Sequence, residues 1–182
     1  MLRLFVAVKL PVDVREKLHS LKMYFEDLEK AKWVNKENMH LTLKFIGNTE
    51  EDRVAVIKET LLKAANKNKS FKIKIGGLGA FPSITRTRVI WVGLSNGENE
   101  TIKLAEDIDT ELSKIGFQKE SRKFKAHIAL ARLKYIINLE NRYEEIDEEL
   151  GITDISVKNI NLIKSTLTPK GPIYKDIGEI PL

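Results

Sequence analysis

The sequence predicts a mixed helix-and-strand protein whose two halves pack together as lobes. Three observations point there. Strand-period and helix-period segments alternate along the chain, the rhythm of helix then strand recurs in both halves, and no low-complexity stretch or obvious linker separates them. At 182 residues the chain can bury a substantial core, as one α/β domain or as two small lobes sharing an interface. Its content of 42% hydrophobic and 31% charged residues is that of a globular chain and excludes a disordered one.

The elements follow in order. Leu2, Leu4, Val6 and Val8 alternate with Arg3, Phe5, Ala7 and Lys9, the period of a strand with one strongly apolar face, and Pro11 ends it. Asp13 can cap a helix, with Glu16 three residues on, and Val14, Leu18, Leu21, Phe25 and Leu28 repeat at helical spacing. His19 lies at the edge of that stripe and reads as a surface residue. Residues 40–46 alternate as a strand with His40, Thr42 and Lys44 on one side and Leu41, Leu43 and Phe45 on the other. Gly47-Asn48 turns the chain, Thr49 can cap, and Val54, Ile57, Leu61 and Ala65 form the inner face of a second helix.

Strands at about 71–78 and 87–93 come next, joined by a loop with Pro82 and Ser83. Asn96-Gly97 marks a turn, and Ile102, Ala105, Ile108, Leu112 and Ile115 build a third helix stopped by Gly116. A strand at about 123–131 carries His127. Leu139, Tyr143, Ile146 and Leu150 predict a short acidic helix closed by Gly151, and strands at about 154–163 and 172–179 finish the chain.

Composition removes several function classes. Without cysteine there can be no disulfide, thiolate metal site or cysteine nucleophile. The apolar runs are too short to cross a bilayer and Met1 leads straight into an alternating strand, so the cytoplasm is the expected location. A net charge of +5 and a pI near 9.2 favour an anionic partner such as nucleic acid or a nucleotide. The lack of cysteine, a single glutamine (Gln118) and many Lys and Glu residues resemble a thermophile's composition. Three histidines with no cysteine, and no close His or carboxylate pair at ligand spacing on either histidine strand, give little basis for zinc, and no Gly-x-Ser-x-Gly turn suggests a serine hydrolase.

What remains is a pair of histidines in similar settings. His40 opens "HLTLKF" and His127 opens "HIALAR"; each begins a short apolar strand and each has a basic residue within five positions. Two imidazoles facing one cleft suit a reaction that takes a proton from one oxygen and delivers one to another, because histidine titrates near neutral pH. Phosphodiester cleavage is such a reaction. A hydroxyl two residues after a histidine shares its strand face about 6–7 Å along the chain, within reach of a bound phosphate.

"HLTLKFIG" resembles the first His-x-Thr-x motif of the two-histidine (2H) phosphoesterases, in particular the RNA 2′,3′-cyclic phosphodiesterases also called 2′-5′ RNA ligases. "HIALAR" stands where that family has its second motif followed by an arginine. "RLFVAVKLPVDVREKL" is similar to the family's opening strand and helix, "FPSITRTRVIWVGL" to its central hairpin and "KSTLTPKGPIYKDI" to its closing strands, so the resemblance runs through essentially the whole chain. It implies a bilobal α+β fold, the LigT-like fold, with 1–182 as a single unit. Two pseudo-symmetric lobes, each an antiparallel sheet with helices, then enclose a positive cleft. It further implies hydrolysis of a 2′,3′-cyclic phosphate at an RNA end or on a nucleotide to a 2′-phosphomonoester, with no metal or nucleotide cofactor. Some members also join RNA through a 2′-5′ linkage. A monomer is the default, since both motifs lie on one chain.

Carried over by position, the resemblance makes His40 and His127 the acid/base pair and Thr42 a phosphate-binding hydroxyl; sequence allows either histidine as base, and we assign His127 as base and His40 as acid. Arg132 matches the basic residue after the second motif and can grip a phosphate oxygen. Its strand parity is opposite to that of His127, so only a bulge or strand end brings it to the same site. Phe45 corresponds to an aromatic that can stack on a base, yet parity turns it toward the core unless the strand bends or bulges. Lys125 shares parity with His127 in the basic stretch "KESRKFKAH" and is placed to attract phosphate, and Arg88 can track an RNA backbone. Nearby Trp91 reads as core, among Val89, Ile90 and Val92. "KAANKNKSFKIK" reads as a solvated face.

The sequence departs from the family pattern at Ala129, which stands where the second motif has threonine. One phosphate contact expected of the family is missing. Three readings follow: a slower enzyme, an enzyme in which water or another side chain replaces the hydroxyl, or a protein that binds RNA ends without cutting them. The retained proton-transfer pair favours an active enzyme.

Overall fold

The computed structural model describes residues 1–28, 31–142, 154–169 and 171–182. It is an α+β fold of two antiparallel sheets. The first half runs β1 (Leu2–Lys9), α1 (Val12–Ser20), β2 (Ala31–Trp33), β3 (His40–Thr49) and α2 (Val54–Ala65), then enters the long hairpin of β4 (Phe71–Ser83) and β5 (Arg86–Asn96). The remainder runs α3 (Glu98–Lys114), β6 (Ile128–Ile137), β7 (Asp154–Val157), β8 (Asn159–Thr168) and β9 (Gly171–Pro181). One sheet has the order β3-β1-β8-β9, the other β2-β6-β5-β4-β7.

Most predicted elements are present, with shifted ends. The first helix tightens into a 3₁₀ turn over Leu21–Phe25, still burying Leu21 and Phe25. The central hairpin is longer than its periodicity suggests, so Pro82 and Ser83 fall inside β4 and only Ile84 and Thr85 make the turn. The segment before His127 is irregular, and β6 begins one residue after it. The predicted strand over 154–163 is two strands in different sheets: the chain changes sheet at Lys158. β2 has too few residues for a periodicity to show. Of the predicted acidic helix, Leu139 is buried, while Tyr143, Ile146, Leu150 and Gly151 lie outside the described residues.

One continuous core joins both sheets. Leu4, Val6 and Val8 of β1 and Leu41 of β3 meet Ile73, Ile90, Val92 and Ile128 of the other sheet, with Ile57 and Leu61 of α2 and Leu104 and Ile108 of α3 packed among them. Leu41, Ile57, Ile90 and Ile108 are fully buried, and truncating any one to alanine costs about 2–5 kcal/mol. Gly97 joins β5 to α3 with φ +77°, and a Cβ there would run into the backbone of Lys72, so only glycine suits this turn.

The site depends on two bulges. In β3, Ala7 of β1 faces Thr42 and Val6 faces Lys44, so Leu43 is the extra residue. In β6, Trp91 of β5 faces Ala129 and Ile90 faces Ala131, so Leu130 is the extra residue. A bulge reverses the alternation beyond it. Leu43 and Lys44 are consequently both buried, and Phe45 is turned outward at 63% exposure; Leu130 and Ala131 are both buried and Arg132 is exposed. Two readings by simple parity are therefore corrected. Phe45 is not in the core, and Lys44 does not share the outer face with His40 and Thr42.

Candidate active site

The two motif strands present their residues in matching registers. Leu41 faces Val8 and Ile128 faces Val92; Thr42 faces Ala7 and Ala129 faces Trp91; Phe45 faces Phe5 and Arg132 faces Val89. Each half-site thus shows, on one face, a histidine, the residue two positions on, and the residue after the bulge. In the first these are His40, Thr42 and Phe45; in the second, His127, Ala129 and Arg132.

Both imidazoles are held alike. Nδ1 of His40 lies 2.7 Å from the carbonyl oxygen of Asn38, and Nδ1 of His127 lies 2.8 Å from that of Lys125, two residues back in each case. A neutral imidazole can donate from only one nitrogen. A carbonyl at Nδ1 fixes the proton there and leaves the Nε2 lone pair free to take one. Aromatic neighbours fix the ring positions. His40 packs against Phe5, centroids 4.8 Å apart, and the edge of Tyr174 at 5.3 Å; His127 meets Phe81 edge-on at 5.0 Å and Trp91 at 6.0 Å.

Burial pushes both histidines below the usual imidazole range, opposed in each by the backbone carbonyl at Nδ1. The charge of His127 further disfavours a proton on His40, and that of Arg132 disfavours one on His127. The first half-site is close enough for His40 to sense the charge of His127 in the second. Burial also raises the Tyr174 phenol, which lies within the fields of Arg132 and Arg3.

The other predicted site residues stand as follows. Lys125 is tied to Glu98 at 3.1 Å with its ammonium 5.9 Å above the Trp91 ring. Arg88 is exposed and donates through Nη1 to the Lys134 carbonyl at 3.1 Å. A cavity of about 960 Å³ brings together Thr42, Phe45, Arg88, Lys125 and His127, while His40 and Arg132 lie outside its lining. Trp91 corrects the core reading: its neighbours Ile90 and Val92 are fully buried, but it is half-buried on the opposite face, beside His127. A Cβ at Gly79 would collide with its ring, so that glycine makes room for the indole to lie across the sheet. Sequence reasoning missed Phe5, Phe81 and Tyr174. The signal for Phe5 was present, an aromatic on the polar side of an otherwise clean alternation. Among the described residues, no three His, Asp or Glu side chains gather as a metal ion requires.

Two half-buried imidazoles, each with Nδ1 on the carbonyl two residues back, thus stand at equivalent positions of a repeated half-site, one on each sheet. The sequence profile of the LigT-like phosphoesterases matches the chain twice, over residues 8–91 and 92–174, and the chain belongs to that family. The two matches begin at Val8 and Val92, the residues that face Leu41 and Ile128 in the equivalent registers. The chain is 35% identical to an RNA 2′,3′-cyclic phosphodiesterase of Methanocaldococcus jannaschii, covering 98% of this chain and 99% of the relative. It is 36% identical to one of Archaeoglobus fulgidus, covering 97% and 98%. A crystal structure of a Thermus thermophilus protein superposes with a TM-score of 0.80 at 25% identity, over 99% of this chain and 97% of the other.

Proposed function

We propose that the protein is an RNA 2′,3′-cyclic phosphodiesterase that opens the cyclic phosphate at an RNA end, or on a cyclic nucleotide, to a 2′-phosphomonoester. The observation that carries this reading is the pair of Nε2 atoms left free by equivalent Nδ1-to-carbonyl contacts in the two half-sites. Neutral His127 takes a proton from the attacking water as its oxygen bonds to phosphorus. Protonated His40 gives a proton to the departing 3′ oxygen as the P–O3′ bond breaks. The Arg132 charge beside His127 favours the neutral form a base needs. The anionic phosphate supports the proton on His40 once substrate is bound. Thr42 and Arg132 hold the non-bridging oxygens, Arg132 doing so through a planar, permanently charged fork.

The whole chain acts as one bilobal unit, a reading supported by the core shared between the sheets. It works as a monomer in the cytoplasm; both half-sites come from one chain, and among the described residues no helix is long and apolar enough to cross a membrane. The test is incubation with a 2′,3′-cyclic nucleotide and a cyclic-ended RNA in chelator, comparing wild type with His40→Ala and His127→Ala. A 2′-phosphate product that collapses on loss of either histidine is expected. RNA binding without turnover in the wild type would mean an end-binding protein instead, the outcome that Ala129 makes worth testing.

A further inference from the structure

We infer that the groove running outward from His127 and Thr42 is a track for the single-stranded RNA behind the cyclic end, so that the protein selects oligonucleotides over free cyclic nucleotides. The inference rests on the phosphodiesterase reading only for what occupies the groove's inner end. Its volume, about 960 Å³, is at the upper end for a small-molecule site, leaving room beyond one nucleotide.

The wall chemistry suits a flexible polyanion with exposed bases. Arg88, Lys119, Arg122 and Lys123 line the groove without an acidic partner among the described residues. Three carboxylates also line it, but two of them are already engaged: the buried Lys44 ammonium sits 2.6 Å from Asp109 and 3.3 Å from Glu120, so of the three only Glu106 opposes the cations without a cationic partner among the described residues. Exposed Phe45 and half-buried Phe81 stand on its sides. Interleaved cations and aromatic faces are how proteins hold single-stranded RNA, the cations following phosphates and the rings stacking on bases. Arg122 and Lys123 are both exposed, and on this inference they meet the phosphates behind the cyclic end and not the terminal nucleotide itself.

The experiment uses 5′-labelled RNAs of one, two, four and eight nucleotides ending in a 2′-phosphate. Binding is read by fluorescence anisotropy with wild type and with Arg122→Ala/Lys123→Ala. KM is measured in parallel for a cyclic mononucleotide and a cyclic-ended octamer. Wild-type affinity should rise at least tenfold from one to four nucleotides. The double variant should lose most of that gain and raise the octamer KM about tenfold or more, with mononucleotide turnover held within twofold. If both side chains meet phosphates, the log–log salt slope for the octamer should fall by about 1.4. Equal binding of mononucleotide and octamer, or an octamer shift of less than twofold in the variant, overturns the track. Length-dependent binding without turnover of any cyclic substrate would remove the phosphodiesterase reading and leave the track standing; turnover without length dependence would do the reverse.

Discussion

Moving a hydroxyl across the cleft tests the equivalence of the two half-sites directly. Thr42 and Ala129 occupy the same register position, each two residues after a histidine and just before a bulge. On the proposed reading, Thr42→Ala removes a hydroxyl that binds a charged phosphate. Such a hydrogen bond is worth about 1.5–3 kcal/mol, so kcat/KM should fall roughly ten- to a hundredfold. Ala129→Thr should raise kcat/KM within the same range, because the residue holds the matching register position before its bulge and is not fully buried. Crowding from Trp91, its cross-strand neighbour, is limited because the indole lies over Gly79 on the far side of β5. The combined variant should recover most of what Thr42→Ala loses. Steady-state hydrolysis of a cyclic nucleotide, with thermal melts to confirm folding, measures all three. The reasoning is refuted if Ala129→Thr stays within twofold of wild type and the combined variant is no better than Thr42→Ala.

Other outcomes follow from the same geometry. The proposed mechanism needs one neutral and one protonated histidine, and both sit below the usual value near 6.5, so kcat/KM should trace a bell with its maximum on the acid side of 6.5; a maximum above pH 7.5 contradicts this. The unfolded chain binds those protons more tightly than the fold does. Stability present above about pH 6.5 is therefore lost as pH falls through the lowered native values, and His40→Ala should flatten that loss in urea titrations at pH 7 and 5. Phe45→Ala should raise KM for cyclic-ended RNA with little change in melting temperature, since the ring is 63% exposed; a melting loss of many degrees would return it to a structural role. Lys44→Met strands the Asp109 carboxylate and should cost about 3–5 kcal/mol in chemical denaturation, with Lys44→Met/Asp109→Leu recovering most of it.

Much of this architecture was legible because alternating apolar residues mark β1 and β3 and a helical stripe marks α2 and α3. The histidine motifs and the repeat they imply could be read from local sequence alone. What local periodicity could not supply was the pair of bulges. A bulge is set by the register against a neighbouring strand, and Val6 or Ile90 contributes that register from far away in the chain. Strict alternation therefore put Phe45 inside, Lys44 outside and Arg132 on the wrong face. Trp91 was misread for a related reason: the space that lets an indole lie on the outer face comes from Gly79 on the adjacent strand. The aromatic settings of His40 and His127 draw on β1, β4, β5 and β9, and no single stretch of sequence contains them.

The bulges also explain how two half-sites on separate sheets are kept in register with each other. The residue turned inward by the first bulge is Lys44; its counterpart at the second is Ala131. Lys44 is 4% exposed, and its ammonium reaches Asp109 of α3 at 2.6 Å and the Gln118 carbonyl at 2.8 Å. Asp109 in turn accepts from the Glu120 backbone N–H. The strand that carries His40 and Thr42 thereby anchors the start of the irregular segment that leads to His127. A buried charge pair adds little net stability over an apolar pair of the same shape, but it is strict about geometry, since neither partner can be left alone. Replacing both partners by apolar residues should therefore spare the fold yet loosen the path to His127. The Lys44→Met/Asp109→Leu protein is expected to melt near wild type while losing kcat on cyclic substrates. Unchanged kcat in that protein would mean that the core alone sets the spacing of the two imidazoles.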